Sequence, residues 1–288
     1  MKSALAKARI FLELIKFEHS VFALPYAYIG AIYGAGASWP TLAQLFWITV
    51  VMVSARAFAF LLNRFVDRHI DARNPRTATR AIPAGSIGTR EVVLFGIVAL
   101  VLYFLGIWQL DPLARMLWPI PLIAFIVYPY TKRFTPLCHY WLGMCLGLAP
   151  VGGWVAVGGD IADPAPWVIG AAVMLWTAGF DIIYATQDVQ CDRRDGVRSM
   201  PADLGIGPAL LQTRIAHAST VLLLVLGGML LDAGAPWYIG VAASAALLAY
   251  ENSIVTASDL SRVDAAFFTV NGVIAILVGV GAIADRLL

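Results

Sequence analysis

The sequence predicts an all-α, polytopic membrane protein, and three observations lead there. The first is composition: 60% of the residues are hydrophobic and only 13% are charged, with a mean hydropathy of +0.78. A soluble domain is roughly 45–50% apolar and about 25% charged. The second is the spacing of the charges. No Lys, Arg, Asp or Glu occurs in 19–55, 92–110, 116–131, 134–159, 164–180, 215–231, 233–250 or 265–284. Each run is near the roughly 17–25 residues a helix needs to cross a bilayer. The third is the side on which the basic residues fall.

The first run is double length, and Gly34-Ala35-Gly36-Ala37-Ser38-Trp39-Pro40 divides it with turn residues. Nine spans result, at 20–36, 41–66, 91–110, 113–130, 136–158, 165–187, 208–231, 235–254 and 265–285. With connections numbered alternately, all of the 20 Lys and Arg except Arg56, Arg115 and Arg286 fall on one side. That bias places the N-terminus in the cytoplasm and the C-terminus outside. Leu5, Ala8, Leu12 and Ile15 recur at helical spacing among charges, so 1–18 is expected to hold an interfacial helix over 3–17. No small-residue cleavage site follows a short apolar core, so a cleaved signal peptide is not expected.

Disorder, a nucleic-acid-binding domain and a disulfide scaffold are excluded by this composition. Cys138, Cys145 and Cys191 fit no zinc or redox spacing. The whole of 1–288 is expected to be one domain.

Acids are costly in apolar spans, so their clusters carry information. The second span runs into Asn63-x3-Asp67-x3-Asp71, and the sixth into Asp181 and then Asp188-x3-Asp192. At helical pitch the first set falls within about 80° and the second within about 40° on one face. Both are ladders of oxygen ligands at the ends of continuous helices, on the same side of the membrane. Facing each other, they would set five carboxylates and an amide around a small volume. Such a cluster needs cations. Hard oxygens suit Mg²⁺, which takes one or two carboxylates and completes its shell with water and phosphate. A phosphate-bearing ligand is therefore expected. The reading as a solvated, salt-bridged helix end is weakened because the motif occurs twice.

The ladders also suggest a duplication. Asp67 and Asp71 recur 121 residues later as Asp188 and Asp192, and Pro-Ala follows each at 83–84 and 201–202. Repeats over 19–134 and 135–256 would give two four-helix units plus a ninth helix.

Basic loops follow the ladders. Lys132 and Arg80 are expected to hold phosphate oxygens, and the same reading extends to Arg76, Arg194 and Arg198. The remaining cations serve as topology signals. Arg56 lies seven residues before Asn63, on the same face and about 10 Å deeper. It could pair with an acid or hold a substrate carboxylate. Tyr128 and Tyr184 are candidates for shaping the same cavity. His19, His69, His139 and His217 read as ordinary interfacial packing.

Taken together, Asn63-x3-Asp67-x3-Asp71, Tyr128-x3-Lys132 and Asp188-x3-Asp192 resemble the UbiA superfamily of intramembrane prenyltransferases. The resemblance covers essentially the whole chain. The stretches 16–25, 67–77 and 259–268 look most like a bacterial branch labelled 4-hydroxybenzoate polyprenyltransferase. Some members of that branch look like the menaquinone enzyme that alkylates a dihydroxynaphthoate. The loop departs from many relatives at Arg80-Ala81-Ile82-Pro83, where they have Arg-Pro-Leu.

The resemblance implies a multi-pass enzyme of the bacterial inner membrane with its active site on the cytoplasmic side. It implies Mg²⁺-dependent transfer of a polyprenyl chain from its diphosphate to an aromatic acid in ubiquinone or menaquinone biosynthesis. Asp67, Asp71, Asp188, Asp192 and Lys132 would be catalytic. Asn63 would join the four acids around the metal. Asn63, Arg56, Arg80, Tyr128, Asp181, Tyr184, Arg194 and Arg198 would bind substrate. The expected partners are the diphosphate, the aromatic acid and the lipid bilayer, with no nucleic acid and no obligate protein. The rival readings are another acceptor (haem, chlorophyllide, homogentisate or a lipid glycerol) and a membrane transporter. A transporter would set its charges near the midplane, at broken helices.

Overall fold

The computed structural model describes residues 22–288. The interfacial helix expected over 3–17, and His19, lie outside the described residues. Among the described residues the chain is helical, and its only strand-like feature is one isolated bridge between Thr256 and Asp259.

The order is α1 (Leu24–Gly34), α2 (Leu42–Val66), α3 (Arg68–Arg73), α4 (Thr89–Ile107), α5 (Pro112–Leu117), α6 (Pro119–Thr131) and α7 (Cys138–Ala156). Then come α8 (Pro164–Ala185), α9 (Val189–Asp195), α10 (Met200–Leu204), α11 (Ile206–Leu230), α12 (Ala235–Ile254) and α13 (Asn271–Leu287). A 3-10 turn, Thr186–Asp188, joins α8 to α9, and a π-helical segment, Ala265–Val270, leads into α13.

Local chemistry sets the boundaries. Thr41 caps α2 reciprocally with Gln44. Asp163 caps α8 ahead of Pro164, whose missing N–H costs nothing at that position. Gly196, at φ 68, ends α9 in the left-handed conformation that glycine adopts without strain.

Among the described residues, six helices are long and apolar enough to cross a membrane: Leu42–Val66, Thr89–Ile107, Pro112–Thr131, Pro164–Asp195, Ile206–Leu230 and Ala265–Leu287. The third comprises α5 and α6, bent at Trp118 before Pro119. Helices α7 and α12 occupy two further expected spans, but Gly, Pro, His, Tyr and Asn dilute their apolarity. Helix α1 has 11 residues, fewer than a span needs.

Close packing at small residues holds the centre together. At Gly153 of α7, a Cβ would sit 1.9 Å from the Ala27 carbonyl oxygen of α1. At Gly143, it would sit 2.1 Å from the Met174 carbonyl oxygen of α8. Only glycine permits these backbones to touch, which is how apolar helices associate when lipid is as apolar as they are.

One sequence expectation needs correcting. The ladder helices are not straight to their ends. Helix α2 stops at Val66, Asp67 turns the chain at φ −91 and ψ 5, and α3 follows. Helix α8 tightens at Thr186–Asp188 before α9. The backbone bonds Asp67 N–H to Asn63 C=O and Asp71 N–H to Asp67 C=O persist, so the four-residue register survives the bend. The turn lets the following loop return toward α2, and that return builds the site.

Candidate active site

A cavity of about 940 Å³ lies inside the bundle. Along α8 it runs from Trp167 to Tyr184, about 25 Å at helical rise. Its far end is apolar, with Trp118, Ile161 and Trp167; its walls include Phe60, Phe125 and Phe180. Its near end is polar and holds Asn63, Arg76, Arg80 and Gln187, with Asp181 about two helical turns deeper. Gln187 donates to Asp264 at 3.2 Å across this end.

The ladder acids stand just behind those residues, each with a partner. Asp67 is 1% exposed and takes Lys132 Nζ at 2.5 Å and an Arg133 guanidinium nitrogen at 3.3 Å. Asp71 receives Arg80 at 2.9 Å on both oxygens. Asp188 receives Asn74 at 2.7 Å and a two-pronged ion pair from Arg76, whose Nε lies 2.9 Å away. Asp192 accepts from Ser199 Oγ at 2.9 Å. Arg76 also donates to the Tyr184 hydroxyl at 2.7 Å and lies over its ring.

These cations are held charged. Burial works against the Arg76 guanidinium, but the bonds to Asp188 outweigh it and raise its pKa. Burial likewise opposes the Lys132 ammonium, and Asp67, with Asp71 nearby, raises it. The Lys132 carbonyl is fixed by the Arg198 backbone N–H at 2.7 Å.

The cavity thus brings together Asn63, Arg56, Arg80, Tyr128, Asp181 and Tyr184 from the expected set. Asp67, Asp71, Asp188 and Lys132 join them through ion pairs. The structure does not bring Arg194 and Arg198 to the cavity. Their side chains pair with Asp195 and Asp203, one and five residues along the chain. Nor do five carboxylates crowd one volume: among the described residues, no three acids, His or Cys converge as a metal cluster. Like charges repel, so each acid takes a cation or a hydroxyl instead.

Sequence reasoning missed Asn74, Arg133 and Ser199. It also read His139 as interfacial packing. His139 is 2% exposed, and its Nδ1 lies 2.7 Å from Asp181 Oδ2. His217 is also buried, beside Asn252 at 2.8 Å, whereas His69 is exposed. Phe267 stacks on Tyr184 at 4.2 Å, another contact the sequence did not signal.

Residues 23–273 match the UbiA prenyltransferase family. A relative from Photobacterium profundum, named 4-hydroxybenzoate octaprenyltransferase, is 29% identical over 255 residues, 88% of each chain. The apo structure of a UbiA homologue from Aeropyrum pernix is 34% identical and superposes with TM-score 0.86, covering 94% of this chain and 99% of that one. A UbiA homologue from Archaeoglobus fulgidus, described as bound to GPP and Mg²⁺, shares the fold with TM-score 0.73 at 21% identity, over 97% of this chain and all of that one. The family match takes in both ladders and the basic loops that answer them, and the chain belongs to the UbiA prenyltransferase family of membrane enzymes.

Proposed function

We propose that this enzyme transfers a polyprenyl chain from its diphosphate to a small aromatic acid, 4-hydroxybenzoate or a dihydroxynaphthoate, in quinone biosynthesis. One observation carries the reading: Arg76 and Arg80, each paired with a ladder acid, line the polar end of a long apolar cavity, and Lys132 is held by the ladder acid Asp67. The cations match phosphate oxygens, and the cavity matches an isoprenoid tail. The names of the Photobacterium and Archaeoglobus relatives support the same substrates.

The donor set fits Mg²⁺. The ladder acids are hard oxygen donors, the kind Mg²⁺ takes one or two at a time while water and phosphate complete its shell. Asn63, Asp67, Asp71, Asp188 and Asp192 would hold it. When bound, Mg²⁺ neutralises diphosphate oxygens and eases their departure.

The protein's own residues do the rest. Lys132, Arg76 and Arg80 turn from the acids to the diphosphate and stabilise its growing charge. Tyr184, Phe267 and Phe268 keep water from the allylic cation and offer it ring faces. Arg56, which lies over Phe60 on the cavity wall, holds the acceptor carboxylate. Tyr128 shapes the acceptor side.

The same reading includes nine spans with the N-terminus in the cytoplasm of a bacterial cell and the site at the cytoplasmic face. It also includes two four-helix units plus a ninth helix. The bends at Asp67 and at Thr186–Asp188, which fall at matching places in the two ladders, support the duplication.

The test uses liposome-embedded protein, labelled prenyl diphosphate and a panel of acceptors. Mg²⁺-dependent prenylation of 4-hydroxybenzoate or dihydroxynaphthoate is expected. Product only from haem, chlorophyllide, homogentisate or a lipid glycerol would overturn the acceptor. Ion flux without product would overturn the reaction and favour a transporter.

A further inference from the structure

The pair His139–Asp181 has no part in holding the diphosphate. Asp181 lies seven residues before Asp188 on α8, about 10 Å further into the bundle. Arg56 lies the same distance before Asn63 on α2. Both line the cavity on the inner side of the ladder acids, so that part of it carries a guanidinium from one helix and a carboxylate from another. By the reading above, that part holds the aromatic acceptor.

The pair is built asymmetrically. The Asp181 side chain is 20% exposed and opens on the cavity, while that of His139 is 3% exposed and sealed behind it. On the far side of the imidazole, Nε2 sits 3.2 Å from the backbone N–H of Met200, the first residue of α10. An amide N–H can only donate, so Nε2 presents its lone pair. The imidazole proton is therefore on Nδ1 and is donated to Asp181 Oδ2. That bond fixes one carboxylate oxygen and leaves Oδ1 for a ligand. Asp67, Asp71 and Asp188 are different. They face Lys132, Arg80 and Arg76, so their oxygens are already taken by cations.

We propose that Asp181 is the base that takes the proton displaced from the aromatic acceptor, with His139 as its positioning residue. The proposal rests on the prenyl-transfer reading. The allylic C–O bond breaks and the diphosphate keeps the electron pair. A ring π pair then forms the new C–C bond. The C–H bond at that ring carbon breaks, its pair restores aromaticity, and the proton passes to Asp181 Oδ1. Water later removes it from the carboxylic acid.

The test compares wild type with Asp181→Asn, which keeps its shape and still accepts from His139. The acceptor is 4-hydroxybenzoate carrying deuterium on both ring carbons beside the hydroxyl. The variant is expected to lose about 10²-fold or more in kcat. A primary isotope effect on kcat should appear in the variant and be small in wild type. Prenyl diphosphate labelled with ¹⁸O at the bridging oxygen reports ionisation separately, because return of the cation scrambles the label. Scrambling should continue in the variant. No ionisation in wild type would sink the prenyl-transfer reading itself. Ionisation with near-normal turnover in Asp181→Asn, or lost turnover with no isotope effect, would overturn Asp181 as the base.

For the positioning role, His139→Phe should reproduce the slow, isotope-sensitive turnover. His139→Gln, which retains an N–H donor, should recover most of it. Equal losses in two folded variants would remove His139 from the account.

Discussion

Asp67 is the most enclosed of the ladder acids, and its two partners are unequal: Lys132 at 2.5 Å and Arg133 at 3.3 Å. Removing the near partner leaves the buried carboxylate with Arg133 alone, and breaking a buried pair costs up to about 3–5 kcal/mol. Lys132→Met should therefore lower the melting temperature of the ligand-free protein as well as turnover, by about 10²-fold in kcat. Lys132→Arg should restore stability more than rate. Arg56 behaves differently, because its proposed partner is the acceptor. Arg56→Ala should raise the acceptor KM more than the diphosphate KM, and equal changes in steady-state kinetics would remove that role. The ladder residues were legible because their spacing repeats. His139 was not: a single histidine at a helix start has no period, and its partner is 42 residues away. Arg194 and Arg198 stand apart from the cavity for the opposite reason, since acids close in sequence pair with them.

At the scale of the element, the segment Ala265–Val270 shows how the fold aims its aromatics. A π-helical turn frees carbonyls from the regular ladder. The Asn271 side chain recovers two of them, Ala266 at 2.9 Å and Phe267 at 3.4 Å. It also donates to buried Glu251 at 2.9 Å and accepts from Trp176 at 2.6 Å. This knot holds Phe267 and Phe268 against Tyr184. Asn271→Leu would leave several buried polar groups unsatisfied, at about 1–3 kcal/mol each. Thermal unfolding in detergent should show the loss, and an unchanged melting temperature would contradict the knot. The helices themselves were legible from charge-free runs, often to within a few residues. The bends were not, because the register of the ladder is the same in a straight helix and in one that turns at Asp67.

For the whole molecule, the apolar exterior and the polar end of the cavity divide the work. Leu94, Ile97, Val101 and Leu105 on α4 face outward as a lipid surface, while the scarce charges gather where the diphosphate would enter. The orientation proposed from the basic-residue bias puts that end in the cytoplasm. Cys191, half-buried beside Asp192, reports on it, because Cys138 and Cys145 are buried. A membrane-impermeant thiol reagent should label Cys191 in inside-out vesicles and spare it in right-side-out ones; the reverse would overturn the orientation. The central claim is that both ladders act on one diphosphate, and the most direct measurement is Mg²⁺-dependent prenyl transfer by Asp67→Ala and Asp188→Ala in liposomes. Each variant should insert and fold yet lose transfer almost completely, whereas near-normal turnover in either one would contradict the claim.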